Sequence, residues 1–283
     1  MYKTLIGQNG YLFLTNDSSH EILKHSTSIY PCNSDHILEL SQIPNYLLIV
    51  YPDNSYVLRE FLPPGFNPVY RYLFEKYHES LKEHIIDGYN IIKDTTEVFY
   101  KTDTHMNLKG CILILNASIE RFNKLFDYNI STVNPTIIRE EVDSLNSLNV
   151  GIGDLTWPIN CGDQKILSTK DIYYKSYDFT NIYNIQVDGS FRLLSNKLEE
   201  CTDRHIGEYV GWPILSSNIL YKKNSEKPCK ILIFYDSFTV PILPFLINMF
   251  GEVYLAKQPF NKILVNIINP THIIEFRVER FLV

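Results

Sequence analysis

Two hydrophobic patterns alternate along this chain: unbroken apolar runs of five to seven residues, and apolar positions that recur every three or four. Residues 45–51 (NYLLIVY) form the clearest run. A strand with one wet face would alternate polar and apolar side chains, so an unbroken run predicts a strand covered on both faces. Asn67-Pro68 follows with the look of an N-cap and a first-turn proline. Val69, Leu73, Tyr77, Leu81 and Ile85 then continue as the buried stripe of a helix. A second helix is predicted after His105, where Leu108, Ile112, Leu115, Ile119, Phe122 and Phe126 recur in steps of three and four. Residues 230–234 (KILIF) repeat the buried-strand pattern and lead into Tyr235-Asp236-Ser237-Phe238. The segment after them ends at Gly251, read as a helix C-cap. Residues 252–257 predict a short strand, Phe260, Ile263, Leu264 and Ile267 a helix, and residues 271–276 a last strand.

Strand and helix signals therefore alternate at both ends of the chain, which predicts an α/β fold with a mainly parallel central sheet covered by helices. Residues 128–228 are rich in Asn, Asp, Ser and Tyr and show neither period clearly. They read as an insertion of loops and short strands within a single domain spanning residues 1–283.

Composition narrows the function classes. Of the 283 residues 45% are hydrophobic and 20% charged, ordinary values for a folded protein. The net charge of -6 and the scattered Lys and Arg residues argue against nucleic acid as the partner, since phosphate contacts need a clustered basic face. No run approaches the 18 or so apolar residues of a membrane span, and the first twenty residues lack the basic end and long apolar block of an export signal. The expected location is the cytoplasm, or the periplasm if a leader precedes this sequence. The five cysteines are dispersed without a C-x-x-C pair, which predicts reduced, packed thiols and no structural zinc site. No metal ligand set is predicted.

Two short segments carry candidate chemistry. Ser237 directly follows a buried strand, at the carboxyl edge of the sheet where open α/β folds bind ligands. A helix starting there would turn its free N–H groups, that of Ser237 included, toward a developing oxyanion. Position alone leaves a second reading, in which Ser237 merely caps that helix. Asp103-Thr104-His105 precedes the other clear helix. A serine hydroxyl needs a base to become a nucleophile, an imidazole titrates in the right range, and a carboxylate fixes its tautomer. Two residues apart on extended chain, Asp103 and His105 can point to one side; the competing reading is an Asp cap beside a surface histidine. His20, His25, His36, His78 and His84 read as solvated, His272 as structural, and His205 lacks an adjacent acid-and-loop setting of this kind.

Several blocks, in order, resemble the alginate O-acetyltransferase family of the AlgX/AlgJ type, which has an SGNH-hydrolase-like domain. They are Gly7-Gln8-Asn9-Gly10-Tyr11-Leu12-Phe13-Leu14 with Asn16-Asp17, residues 52–63 (PDNSYVLREFLP), residues 100–110 (YKTDTHMNLKG), Gly153-Asp154-Leu155, residues 231–238 (ILIFYDSF) and residues 269–282. The resemblance implies a three-layer SGNH-hydrolase-like sandwich with Ser237 as nucleophile, His105 as base and Asp103 as orienting acid. It also implies O-acetylation of a polysaccharide, for example a capsular or other surface glycan. Tyr235 stands where the family usually has glycine, which bears on the backbone or the pocket beside the nucleophile. Met106 stands where it has tryptophan, which suggests an altered sugar-facing surface.

The expected partners are thus a polysaccharide or oligosaccharide acceptor, an acetyl donor and other proteins of polysaccharide synthesis. No bound cofactor is expected, and in the cytoplasm acetyl-CoA would be the donor substrate. The same triad would equally serve a carbohydrate acetyl esterase, and the Tyr235 departure leaves open a glycan-binding protein without activity.

Overall fold

A computed structural model describes residues 4–15, 18–143, 153–155, 170–175, 183–185, 191–193, 199–200, 219–223, 227 and 229–283. The chain opens with an antiparallel pair, β1 (Thr4–Ile6) and β2 (Leu12–Leu14), followed by two short helices, α1 (Glu21–Ser26) and α2 (Ser34–Ser41). The central sheet then begins with β3 (Tyr46–Tyr51). After α3 (Asn54–Val57) and α4 (Tyr72–Leu81) come β4 (Ile85–Asp87), α5 (Gly88–Ile92) and the long α6 (Leu108–Phe126).

The middle of the chain contributes an antiparallel pair, β5 (Ile138–Asp143) with β6 (Lys170–Lys175), and a smaller one, β7 (Tyr183–Ile185) with β8 (Phe191–Leu193). It also supplies β9 (Glu199–Glu200) and β10 (Ile219–Lys223). The last part alternates strictly: β11 (Lys230–Tyr235), α7 (Leu243–Met249), β12 (Glu252–Ala256), α8 (Lys262–Ile268) and β13 (His272–Val278).

The central sheet runs in the order β4-β3-β13-β11-β12-β10-β9. Its first five strands are parallel, and β10 and β9 close one side in antiparallel pairing. The apolar runs are explained by what covers each face. Leu47, Ile49 and Tyr51 of β3 join Ile231, Ile233 and Tyr235 of β11 in a core with Ile114, Leu115 and Phe122 of α6. The alternate residues Tyr46, Leu48, Val50, Leu232 and Phe234 face a second core with Leu73 and Tyr77 of α4 and Leu264 of α8. Both faces are dry, so nothing in these strands needs to be polar. This is the mainly parallel, helix-covered sheet that the alternation predicts and the three-layer α/β arrangement that the resemblance implies.

Some local expectations need correction. Residues 67–71 are not helical; α4 starts at Tyr72, behind Arg71. The Tyr70 N–H donates to the His25 carbonyl (2.9 Å), and the buried Arg71 side chain turns inward to Glu279 and Asp87. These contacts hold the segment extended and leave Val69 40% exposed. Ile85 belongs to β4 rather than to the helical stripe.

Gly251 does not end its helix in a left-handed turn. A side chain there would bring its Cβ to 2.2 Å from the Lys227 carbonyl oxygen, so this glycine marks a close backbone approach. Cys32, Cys111 and Cys229 are free thiols, whereas Cys161 and Cys201 lie outside the described residues. Much of the expected insertion at 128–228, His205 and the Asn16-Asp17 pair also lie outside them. Among the described residues no helix is long and apolar enough to cross a membrane.

Candidate active site

The parallel strands β3, β13 and β11 end side by side, and the loops leaving them build the site. At the end of β11 the chain does not bend sharply: Asp236 is extended (φ -111°, ψ -173°) and caps the 3-10 turn Ser237–Ile242 through its side chain. One Asp236 oxygen accepts from the Phe238 N–H (3.0 Å) and the other from the Val278 N–H at the end of β13 (2.6 Å). The capping role considered for Ser237 is therefore taken by Asp236, and the serine hydroxyl is left for other work. Tyr235 is 5% exposed and packs in the core behind the turn, so the residue before Asp-Ser needs no glycine conformation here.

The second loop is closed at its base by an antiparallel bridge between Phe99 and Met106. The Asn107 N–H donates to the Val98 carbonyl (3.0 Å), and the Asn107 side chain caps α6 by accepting from the Gly110 N–H (3.2 Å). Asn107, not Asp103, is thus the cap of this helix. Met106 is fully buried, and a Cβ on Gly110 would meet its Cγ at 2.5 Å. The methionine therefore packs into the core and does not itself face a sugar.

Between its pinned ends the loop presents Asp103, Thr104 and His105. His105 Nε2 lies 2.9 Å from Ser237 Oγ, and His105 Nδ1 lies 2.6 Å from Asp103 Oδ1. Because the Nδ1–H is committed to the carboxylate, Nε2 carries the lone pair and accepts from the serine hydroxyl. Asp103 is held in turn by the His105 and Asp154 N–H groups (2.9 and 3.1 Å). The Phe238 ring sits 4.9 Å from the imidazole and limits its rotation. Burial opposes the imidazolium, but the hydrogen bond and charge of Asp103, aided by Asp154, outweigh it and raise the His105 pKa above its ordinary value. Two segments 132 residues apart thus form one hydrogen-bonded chain of carboxylate, imidazole and hydroxyl.

The group that braces this loop is not visible in the sequence pattern. Asp171, at the start of β6, is completely buried and accepts from the Lys101 N–H, the Thr102 N–H (both 2.9 Å) and the Thr102 hydroxyl (2.7 Å). Replacing Asp171 with Ala strands these donors. Chemical denaturation is expected to register a loss of about 2–3 kcal/mol, as for unsatisfied buried polar groups. A loss below about 0.5 kcal/mol would remove Asp171 from this role.

His25, read as solvated, is buried in a cluster of charges beneath the site. Its Nε2 is 2.9 Å from Asp53 Oδ2, and Arg280 Nη1 lies between Asp53 (2.6 Å) and Glu21 (3.1 Å). Asp53, Glu279 and Arg280 all follow the carboxyl ends of β3 and β13. The cluster ties α1 to the sheet edge, and the Arg280 guanidinium lies 5.1 Å from the Phe238 ring centre. His272 packs against Phe122, Phe126 and Tyr128, a structural role as expected.

Donor atoms of Asp103, His105 and Asp154 lie within 4.8 Å of one another, a spacing that a cation can bridge. Each of these atoms is already engaged: Nδ1 with Asp103, and both Asp154 oxygens with Thr104. The arrangement is complete as a hydrogen-bonded one.

Fold and site together define a three-layer α/β sandwich with a Ser-His-Asp constellation at the carboxyl edge of its parallel sheet. Among solved structures, PatB1 of Bacillus cereus is similar over 97% of this chain and 95% of its own, with a TM-score of 0.58 and 16% identity. The O-acetyltransferase domain of Pseudomonas putida AlgJ is similar over 100% and 92%, with a TM-score of 0.52 and 14% identity. A DHHW family protein from Eubacterium siraeum is similar over 98% and 93%, with a TM-score of 0.53 and 16% identity. At such identities the likeness is one of fold. No protein-family model matches the chain, and no curated protein does.

Proposed function

We propose that this protein is an O-acetyltransferase that moves an acetyl group onto a hydroxyl of a polysaccharide or oligosaccharide. The observation that carries the reading is the chain Asp103–His105–Ser237, with bonds of 2.6 and 2.9 Å. Ser237 attacks the acetyl carbonyl of the donor while its proton passes to His105 Nε2. The tetrahedral intermediate then expels the donor's leaving group, which takes that proton. A sugar hydroxyl next gives its proton to His105 and attacks the acetyl-serine; the bond to Ser237 Oγ then breaks, His105 returns that proton to the serine, and the sugar leaves as the ester. Asp103 stabilises the imidazolium in both halves. The Ser237 N–H, at the start of the 3-10 turn, supports the oxyanion. The likeness in fold to the O-acetyltransferase domain of AlgJ supports the acetyl-transfer chemistry. A surface glycan such as capsule is the proposed acceptor, with acetyl-CoA as the proposed soluble donor and other polysaccharide-synthesis proteins as partners.

One observation favours a second reading, an acetyl esterase: the His105 side chain is 25% exposed, so water can reach the base as well as a sugar can. The inactive glycan-binding alternative rested on Tyr235, which lies in the core. Mass spectrometry of products formed from donor and glycan together separates the first two. Acetylated sugar is expected; acetate released alone, at a rate the glycan does not change, would make the protein an esterase.

The acid limb of kcat/KM tests the base. Since His105 must be neutral to accept the serine proton and its pKa is raised, activity is expected to fall with decreasing pH already above the ordinary imidazole range. Asp103→Asn is expected to move that limb to lower pH while lowering its plateau, as a pH–rate profile would read.

A further inference from the structure

Asp154 reaches the catalytic loop from a separate stretch of chain. Gly153, at φ 89°, makes the left-handed turn that brings it in. One Asp154 oxygen accepts from the Thr104 N–H (2.9 Å) and the other from the Thr104 hydroxyl (2.7 Å). The Asp154 N–H donates to Asp103 Oδ2 (3.1 Å), and the next N–H, that of Leu155, donates to the Thr102 carbonyl (3.2 Å). Asp154 therefore grips the residue between the acid and the base from both backbone and side chain. Its Oδ2 also lies 3.7 Å from His105 Nδ1, the nitrogen that Asp103 already holds.

Bracing alone does not call for a charge, because an amide in its place would still accept from the Thr104 N–H and could donate to the Thr104 hydroxyl. A carboxylate beside Nδ1 does something further: it adds a second negative charge next to the imidazolium that forms when Ser237 gives up its proton. We infer that Asp154 is a positioning residue of the Ser237 site, holding Thr104 and His105 in register and setting a second carboxylate beside the imidazole that Asp103 orients. The inference rests on the catalytic reading above.

The groups that face this imidazole are Asp103 and Asp154, which favour its charged form, and Arg280, which acts against it. Asp154 is itself subject to its neighbours. Partial desolvation and the Asp103 carboxylate push its carboxyl up to about 6, against the pull of His105 and Thr104. Below that pH it is neutral and gives His105 no charge to lean on; above it, the second carboxylate is in place. The Asp154 side chain is 40% exposed, so water screens the interaction and its pull on His105 is smaller than that of the buried Asp103.

The test is the pH dependence of Ser237 labelling by a fluorophosphonate, which reports activation of the serine without needing the acceptor or the natural donor. Asp154→Asn keeps an oxygen for the Thr104 N–H and removes the charge. It is expected to lower the plateau labelling rate about three- to tenfold and to move the acid limb to lower pH. Asp154→Ala is expected to lose more, because the grip on Thr104 goes as well. A lowered plateau with the limb unmoved in Asp154→Asn would mean a bracing role alone and would overturn the inference.

If the variants do not fold, the His105 ring resonances of the wild-type protein decide. A two-step titration, with the earlier step near pH 6, is expected; a single step overturns the inference. Labelling that persists in Ser237→Ala would instead bring down the catalytic reading itself, so the two failures are separate.

Discussion

Alanine at Ser237 or at His105 is expected to lower turnover of an activated acetyl ester by about three orders of magnitude or more. The two side chains act as one device. The hydroxyl at 2.9 Å from Nε2 is a nucleophile only while the imidazole accepts its proton, and the imidazole has no other proton to take in the first step. The double variant is therefore expected to be no worse than either single one. Steady-state kinetics of all three would show it. Neither substitution should disturb the fold. Both side chains are part-exposed, and the turn around Ser237 is held by Asp236 while the loop around His105 is held by Asp171 and Asn107. Melting temperatures close to that of the wild type are expected. Activity surviving in both single variants would end the account of the site.

The largest effect on stability is expected at Arg280. The guanidinium is 5% exposed and lies between the Asp53 and Glu21 carboxylates, which are themselves fully buried. Taking it away leaves two carboxylates in the same dry space, with His25 as the near cation for Asp53 and none of the described ion pairs left for Glu21. Burial and the neighbouring Asp53 already push the Glu21 carboxyl up to about 7 with the arginine present. Breaking a buried ion pair from one side typically costs about 3–5 kcal/mol, because the partner charge stays behind. Arg280→Met, which keeps much of the packing against the Phe238 ring, is expected to fall in that range by urea denaturation. A loss below about 1 kcal/mol would show that the cluster matters little to the fold. Phe238 directly follows Ser237, so the same variant is also expected to loosen the turn that carries this serine.

What the sequence made legible follows from the range of the interactions involved. The unbroken run at 45–51 could be read because a strand in a parallel sheet is dry on both faces whatever its neighbours are. The α6 stripe could be read because a long helix repeats its buried face several times. Asp103, His105 and Ser237 could be singled out because each sits beside a predicted element end. The start of α4 was misplaced because Asn67-Pro68 is a sound local signal that loses to distant ones: the pairing of Tyr70 with His25 and of Arg71 with Glu279, 208 residues away. Asp171 and His25 offered nothing to read, since a buried polar residue looks like a surface one until its partners are known. Asp154 stood in a resembling block, yet its position against Thr104 and His105 is a contact made 50 residues along the chain.

The central step of the account is the passage of the acetyl group through Ser237 Oγ. Peptide mass spectrometry after brief exposure to an acetyl donor, quenched in acid and then repeated with an oligosaccharide added before the quench, tests this directly. An acetyl group on the peptide containing Ser237, lost when sugar is added and recovered on the sugar, is the predicted result. A Ser237 peptide that stays unmodified while the sugar becomes acetylated would contradict it.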